Sequence, residues 1–210
     1  MIRLLFILLA MMFSWPLLGQ TKLTAEQQKQ IIEKIDQTAS SMTGMQCDFV
    51  QTKRMKLLSK EMQSKGIMYF KRPNKLRWQY IAPYDYTFIL NGDKVQIKSS
   101  KSTKNIDVQG NKMFRQITNI ILNSVTGGSL KSSSDFTVEV YKKDNTYFAK
   151  LFPKKKELKQ LYQVIEIYFD SALTMVNSVR MVEKTGDETR VNLINTKLNI
   201  TVDDKMFAVN

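Results

Sequence analysis

The sequence predicts an α+β fold, mostly antiparallel β, in which one long sheet of about ten or eleven strands carries two amphipathic helices. Three observations predict it. The apolar period changes from helical to two-residue alternation near Met45 and keeps that alternation to the end, apart from one helical insert. Turn signals are closely spaced, so neighbouring strands pair antiparallel. The 210 residues are 43% hydrophobic with four prolines and eight glycines, which describes a globular chain with a substantial core.

The first helix follows Thr24, an N-cap with Gln27 three residues on as its capping-box partner. Ile31, Ile32, Ile35, Ala39 and Met42 form its apolar stripe, and Gly44 ends it. "MQCDFVQT" sets Met45, Cys47 and Phe49 against Gln46, Asp48 and Gln51. "KGIMYFKRP" is an apolar strand stopped by Pro73, and "KLRWQY" alternates Leu76, Trp78 and Tyr80 with cations and a glutamine. "YDYTFILNGDKVQIKS" is a hairpin turning at Asn91-Gly92-Asp93. The insert "NKMFRQITNIILNSVTGG" is a second helix, with Phe114, Ile117, Ile120 and Ile121 on one face and Gly127-Gly128 as its stop. Hairpins then turn at Lys143-Asp144-Asn145 and Gly186-Asp187, and the terminal "MFAVN" continues the strand pattern. A twisted sheet of this size curls. The helices across its concave face can complete a filled core or cover an apolar cavity, and both arrangements fit the pattern.

Residues 1–20 have the layout of a secretory signal peptide: Arg3, an unbroken apolar run from Leu4 to Phe13, then Pro16 and Gly19. That run is shorter than the ~20 residues of a membrane span. Residues 21–210 are expected to form a single exported domain, periplasmic and monomeric. Cys47 is the one cysteine, so no internal disulfide is expected, and its alternation with Met45 and Phe49 places it as a buried apolar position. The net charge is +13. In an exported protein that charge favours anionic membranes or acidic partners over nucleic acid, or it is a solvated surface.

The absences narrow the chemistry. There is no histidine, so imidazole-based triads and the usual zinc sites are excluded, and no phosphate-binding glycine loop occurs. Asp85 and Asp203-Asp204 could in principle serve a two-carboxylate hydrolase, but they stand in turn contexts. We expect no enzyme activity, no metal and no cofactor.

"KRPNKLRWQY" mixes cations with rings, as a nucleic-acid strand would. Alternation separates them: Leu76, Trp78 and Tyr80 share one face while Lys75, Arg77 and Gln79 share the other. The order Gly66, Arg72-Pro73, Trp78, Tyr80, Pro83, Asn91-Gly92, with "FVQT" before it and "VEKTGDETRVNLINTKLN" and "FAVN" after it, resembles the LolA family of periplasmic outer-membrane lipoprotein carriers across roughly Leu23 to Asn210. The resemblance implies an unclosed, half β-barrel with an α-helical lid. It implies that the protein carries lipoprotein acyl chains from an inner-membrane ABC-type releasing complex to an outer-membrane acceptor. Arg72 matches the family arginine that latches the lid. Phe49, Met68, Phe70, Leu76, Trp78, Tyr80, Phe88 and Leu90 would line the cavity, and Ile31, Ile35, Phe114, Ile117 and Ile121 would face it from the lid helices. Leu76 stands where the family has an aromatic residue. The alternatives are a cationic periplasmic adaptor with a filled core and a carrier of a glycolipid or pigment precursor. Lys154-Lys155-Lys156 is either a solvated turn or a docking patch for an acidic partner or anionic lipid.

Overall fold

Twelve strands form one sheet in the computed structural model, which describes residues 19–108, 110, 112–126, 130–131 and 133–209, without the side chains of 112–117 and 124. The expected leader residues 1–18, Gly127-Gly128, and the side chains of Phe114 and Ile117 lie outside that description. In chain order the elements are β1 (Thr21–Lys22), α1 (Ala25–Ser41), β2 (Gly44–Met55), β3 (Lys60–Lys71), β4 (Lys75–Ala82), β5 (Tyr86–Asn91), β6 (Lys94–Ser99) and β7 (Thr103–Asp107). They continue with α2 (Lys112–Thr126), β8 (Phe136–Lys143), β9 (Thr146–Pro153), α3 (Lys156–Leu161), β10 (Tyr162–Phe169), β11 (Val176–Glu183) and β12 (Glu188–Leu198).

The sheet order is β1-β8-β9-β10-β11-β12-β2-β3-β4-β5-β6-β7, antiparallel throughout, with β1 and β7 as its two edges, so the barrel is not closed. The two-residue β1 and the edge strand β7 are additions to the strands that alternation picked out. Three readings are corrected. The terminal "MFAVN" is not a strand: Asp203 Oδ1 accepts from the Lys205 amide and opens a 3-10 turn over Asp204–Phe207. Phe207 and Val202 then pack with Ile89 on the convex face. Gly44 does not cap α1 either. Met42 closes the helix in an extended conformation, and Gly44 begins β2 so close to β12's exit that a Cβ there would lie 2.4 Å from the Ile200 carbonyl oxygen. Lys156 also belongs to a third short helix, α3, rather than to a turn.

Alternation sends one set of side chains into the concave face, and cross-strand register assembles them into rows. Cys47, Met68, Trp78 and Phe88 stand side by side across β2–β5, and Met45, Phe70, Leu76 and Leu90 form the next row. In the row beyond, Phe49 and Tyr80 both pair with Gly66. Gly66 has no alternative, because a Cβ would fall 1.9 Å from the Gln79 carbonyl oxygen and 2.7 Å from the Phe49 ring.

Helix α1 crosses this concavity. Its capping box forms as expected, with the Gln27 amide donating to Thr24 Oγ1 and the Thr24 amide to Gln27 Oε1. Gln28 pins its start to the β8 side of the sheet, accepting from the Val140 amide at 3.0 Å. Seventeen residues at about 1.5 Å each carry it some 25 Å to the end of β3. It buries Ile35 and Ala39, with Ile31 and Ile32 packed at the core's margin. The convex face carries ion pairs instead. Glu166, 6% exposed, accepts from Arg180 at 3.0 Å and from the Tyr168 hydroxyl at 2.7 Å, and Arg180 also grips Glu188.

Candidate functional site: a cleft under two helices

The aromatic wall begins with Phe49. Its ring centre lies 4.9 Å from that of Trp78 and 5.0 Å from that of Tyr80, and Tyr80 is 5.8 Å from Tyr86 in an edge arrangement. Such tilted and edge-on pairs fix ring orientation. Together with Gln51, Phe88, Met181 and Val191, the rings of Trp78, Tyr80 and Tyr86 line an apolar cleft of about 240 Å³ that Ile121 of α2 closes from above. The Tyr80 hydroxyl donates to Gln51 Oε1 at 2.8 Å, which satisfies the polar tip of an otherwise apolar wall. Burial, and then the neighbouring Tyr86, push its titration up, so it stays a neutral donor.

The expected cavity residues therefore divide. Trp78, Tyr80 and Phe88 line the open cleft. Phe49, Met68, Phe70, Leu76 and Leu90 are almost fully buried and close the floor. One reading is corrected here: Gln51, expected opposite Phe49, stands two residues on along the same strand face and lines the cleft, and Tyr86, Met181 and Val191 join it as lining residues that alternation did not single out. Met181 and Val191 sit on the concave side of their strands by alternation. Only the pairing of β12 with β2 brings them beside the β2–β5 wall. Leu76, where the resemblance implies an aromatic residue, is fully buried and fills a floor position rather than the open cleft.

Arg72 lies where β3 meets the end of α1. Its backbone amide donates to the Thr43 carbonyl at 3.0 Å. Its guanidinium donates through Nε to the Met42 carbonyl at 2.8 Å and through Nη2 to the Ala39 carbonyl. These are carbonyls at the C-terminal end of α1, where the helix dipole is negative; the Ala39 carbonyl also accepts the Met42 amide at a long 3.4 Å. A planar cation with several donors suits that position. Beside it opens a second cleft of about 490 Å³, lined by Asp36, Ala39 and Ser40 of α1, Leu122, Asn123 and Thr126 of α2, and Phe70, Arg72, Pro73 and Lys131. The two helices thus diverge next to the arginine.

Residues 40–210 match the family described as "Outer membrane lipoprotein carrier protein LolA". This chain belongs to the LolA family. An outer-membrane lipoprotein carrier protein of Methylococcus capsulatus is 27% identical over 176 residues, covering 80% of this chain and 77% of that protein. One from Chromohalobacter salexigens is 23% identical over 200 residues, covering 93% and 92%. Among solved structures, an uncharacterized conserved protein from Thermus thermophilus superposes with a TM-score of 0.52 at 10% identity, over 88% of this chain and 94% of that one, a likeness of fold alone. This LolA-family chain accordingly has the carrier fold: an unclosed antiparallel sheet with helices across its concave face. Among the described residues no helix is long and apolar enough to cross a membrane.

Proposed function

We propose that this protein is a periplasmic carrier that takes up the acyl chains of lipoproteins, or of a related lipid, beneath its two helices and shuttles them from the inner to the outer membrane. In this reading residues 1–20 direct export and are removed, and residues 21–210 act as one domain. An ABC-type complex releases cargo to the protein and an outer-membrane acceptor receives it. No bond is made or broken by the carrier itself.

The observation that carries the reading is the apolar cleft roofed by Ile121, beside a helix α1 held down by Arg72. At about 240 Å³ the cleft lies below the ~300–1,000 Å³ usual for small-molecule sites, so an acyl chain enters only if the helices lift. Each methylene buried contributes about 0.8 kcal/mol. Lifting the helices gives up the burial of residues such as Ile35 and the two Arg72 bonds. Part of the acyl burial energy is therefore offset by lost helix contacts. Binding stays weak enough for hand-over, and the carrier needs no nucleotide of its own.

The test is displacement of an environment-sensitive apolar fluorophore from the purified protein by long-chain acyl ligands. Saturable uptake, faster in Arg72→Leu than in the wild type, is expected. A protein that admits no probe in either form would sink the carrier reading and leave the cationic adaptor.

A further inference from the structure

The end of the sheet that carries the β2–β3 turn differs from the rest of the surface. β2 and β3 pair without interruption out to Met55 and Lys60, but β4 stops at Ala82, opposite Lys65. The stretch Lys60–Ser64 therefore has no partner on its β4 side. At about 3.4 Å per residue, the hairpin overhangs the end of β4 by roughly 17 Å. Its tip holds Leu57 and Leu58, 94% and 65% exposed. Lys56 and Lys60 flank them, Arg54 stands below, and Lys56 lies against Gly186 of the β11–β12 turn, next to Lys184.

The carboxylates nearby are largely engaged. Glu183 pairs with Lys53 at 3.0 Å, Asp187 accepts from the Lys56 amide at 3.0 Å, and Glu188 is gripped by Arg180. Glu61 faces Arg54 across the hairpin. The tip thus presents two leucines in a cationic collar on a chain of net charge +13.

A protein partner of ordinary affinity buries on the order of 1,000 Å² or more, far above what two side chains offer. A lipid leaflet needs no matching pocket. It takes in apolar side chains at the acyl boundary while lysine and arginine heads stay among anionic headgroups. We propose that the β2–β3 hairpin is a membrane-docking finger, in which Leu57 and Leu58 enter an anionic leaflet and Arg54, Lys56, Lys60 and Lys184 meet its phosphates. The concave-face column of β2 runs Phe49, Gln51, Lys53, Met55, with Met62 opposite Lys53. Gln51 lines the cleft, so a docked finger sets the mouth of the cleft towards the leaflet. The finger complements the carrier reading without resting on it, since vesicle contact needs no cargo in the cleft.

Co-sedimentation with vesicles of phosphatidylcholine, alone or mixed with phosphatidylglycerol, tests the finger. The wild type should bind the anionic vesicles. Leu57→Glu/Leu58→Glu should bind about tenfold more weakly or worse, as expected for losing two inserted leucines. Lys56→Gln/Lys60→Gln should bind severalfold more weakly and respond less to added salt. A dye on Leu58→Cys should shift to the blue with anionic vesicles. Cys47 does not compete for that dye, because burial and the adjacent Asp48 push its thiol up to about 12. The leucine variant should keep the unfolding midpoint and the fluorophore uptake of the wild type, which separates failure of the finger from failure of the cleft. No vesicle binding by the wild type overturns the proposal. So does anionic binding that the leucine variant retains in full, which would be charge alone, or loss of vesicle binding and fluorophore uptake together.

Discussion

Replacing Arg72 with leucine isolates what holds α1 down. The guanidinium donates to the Ala39 and Met42 carbonyls, and a hydrogen bond to a charged group contributes roughly 1.5–3 kcal/mol. The cation also faces the negative end of the helix, worth about 0.3–1 kcal/mol more. Two terms reduce that gross figure. Ala39 borders a cleft of about 490 Å³, where its carbonyl can be rehydrated, and its bond from the Met42 amide and the Arg72 amide's bond to Thr43 both remain. We expect the local opening of α1 to become easier by about 2 kcal/mol, or roughly thirtyfold in its opening equilibrium. Hydrogen exchange across Asp36–Ser41 reads this directly, with the amides of β2 and β3 as internal reference. Arg72→Lys, a point charge on a flexible stem, should fall between the two. Unchanged protection in α1 would refute the tether. An equal loss of protection in every strand would also refute it, because the arginine would then be supporting the whole fold.

Two further outcomes follow from the packing and charge. Gly66→Ala forces a methyl group into the Gln79 carbonyl oxygen and the Phe49 ring, so the urea midpoint should fall by an amount equal to about 3 kcal/mol; a loss below about 1 kcal/mol would mean that β3 and β4 separate without strain. Arg180 holds the Glu188 carboxyl below its ordinary value of 4.5. A depressed folded value means that the stabilisation is present above about pH 4.5 and is lost as pH falls through the folded value. Glu188→Gln should cost about 0.5–1 kcal/mol at neutral pH for this partly exposed pair and flatten the acid limb of stability against pH; superimposable acid limbs would refute the assignment.

Much of the wall was readable from the chain because a strand's two faces follow from a period of two. Alternation puts Trp78 and Tyr80 on one face, the family resemblance adds Phe88, and register sets the three side by side. Gln51 was harder to see, since a polar side chain on the concave face looks like an interruption until its bond to Tyr80 is known. The 3-10 turn at Asp204–Phe207 was misread because "MFAVN" alternates as a strand would. What decides its structure is docking on the convex face, where Arg77 and Asn91 donate to the Met206 and Phe207 carbonyls. α3 was missed because its six residues are too few for helical periodicity to show.

By itself the sequence determined the fold class, the apolar face of β4 and most of that of β2, the capping box that starts α1, and the family to which the chain belongs. These depend on neighbours a few residues apart or on an ordered set of residues along the chain. Only the tertiary structure decided that Met181 and Val191 share a cleft with Trp78, that Ile121 covers it, and that Arg72 reaches back thirty residues to Met42. Those contacts depend on how far the sheet curls and where the helices cross it. Curl and crossing sum the twist and packing of all twelve strands, and no local stretch encodes that sum.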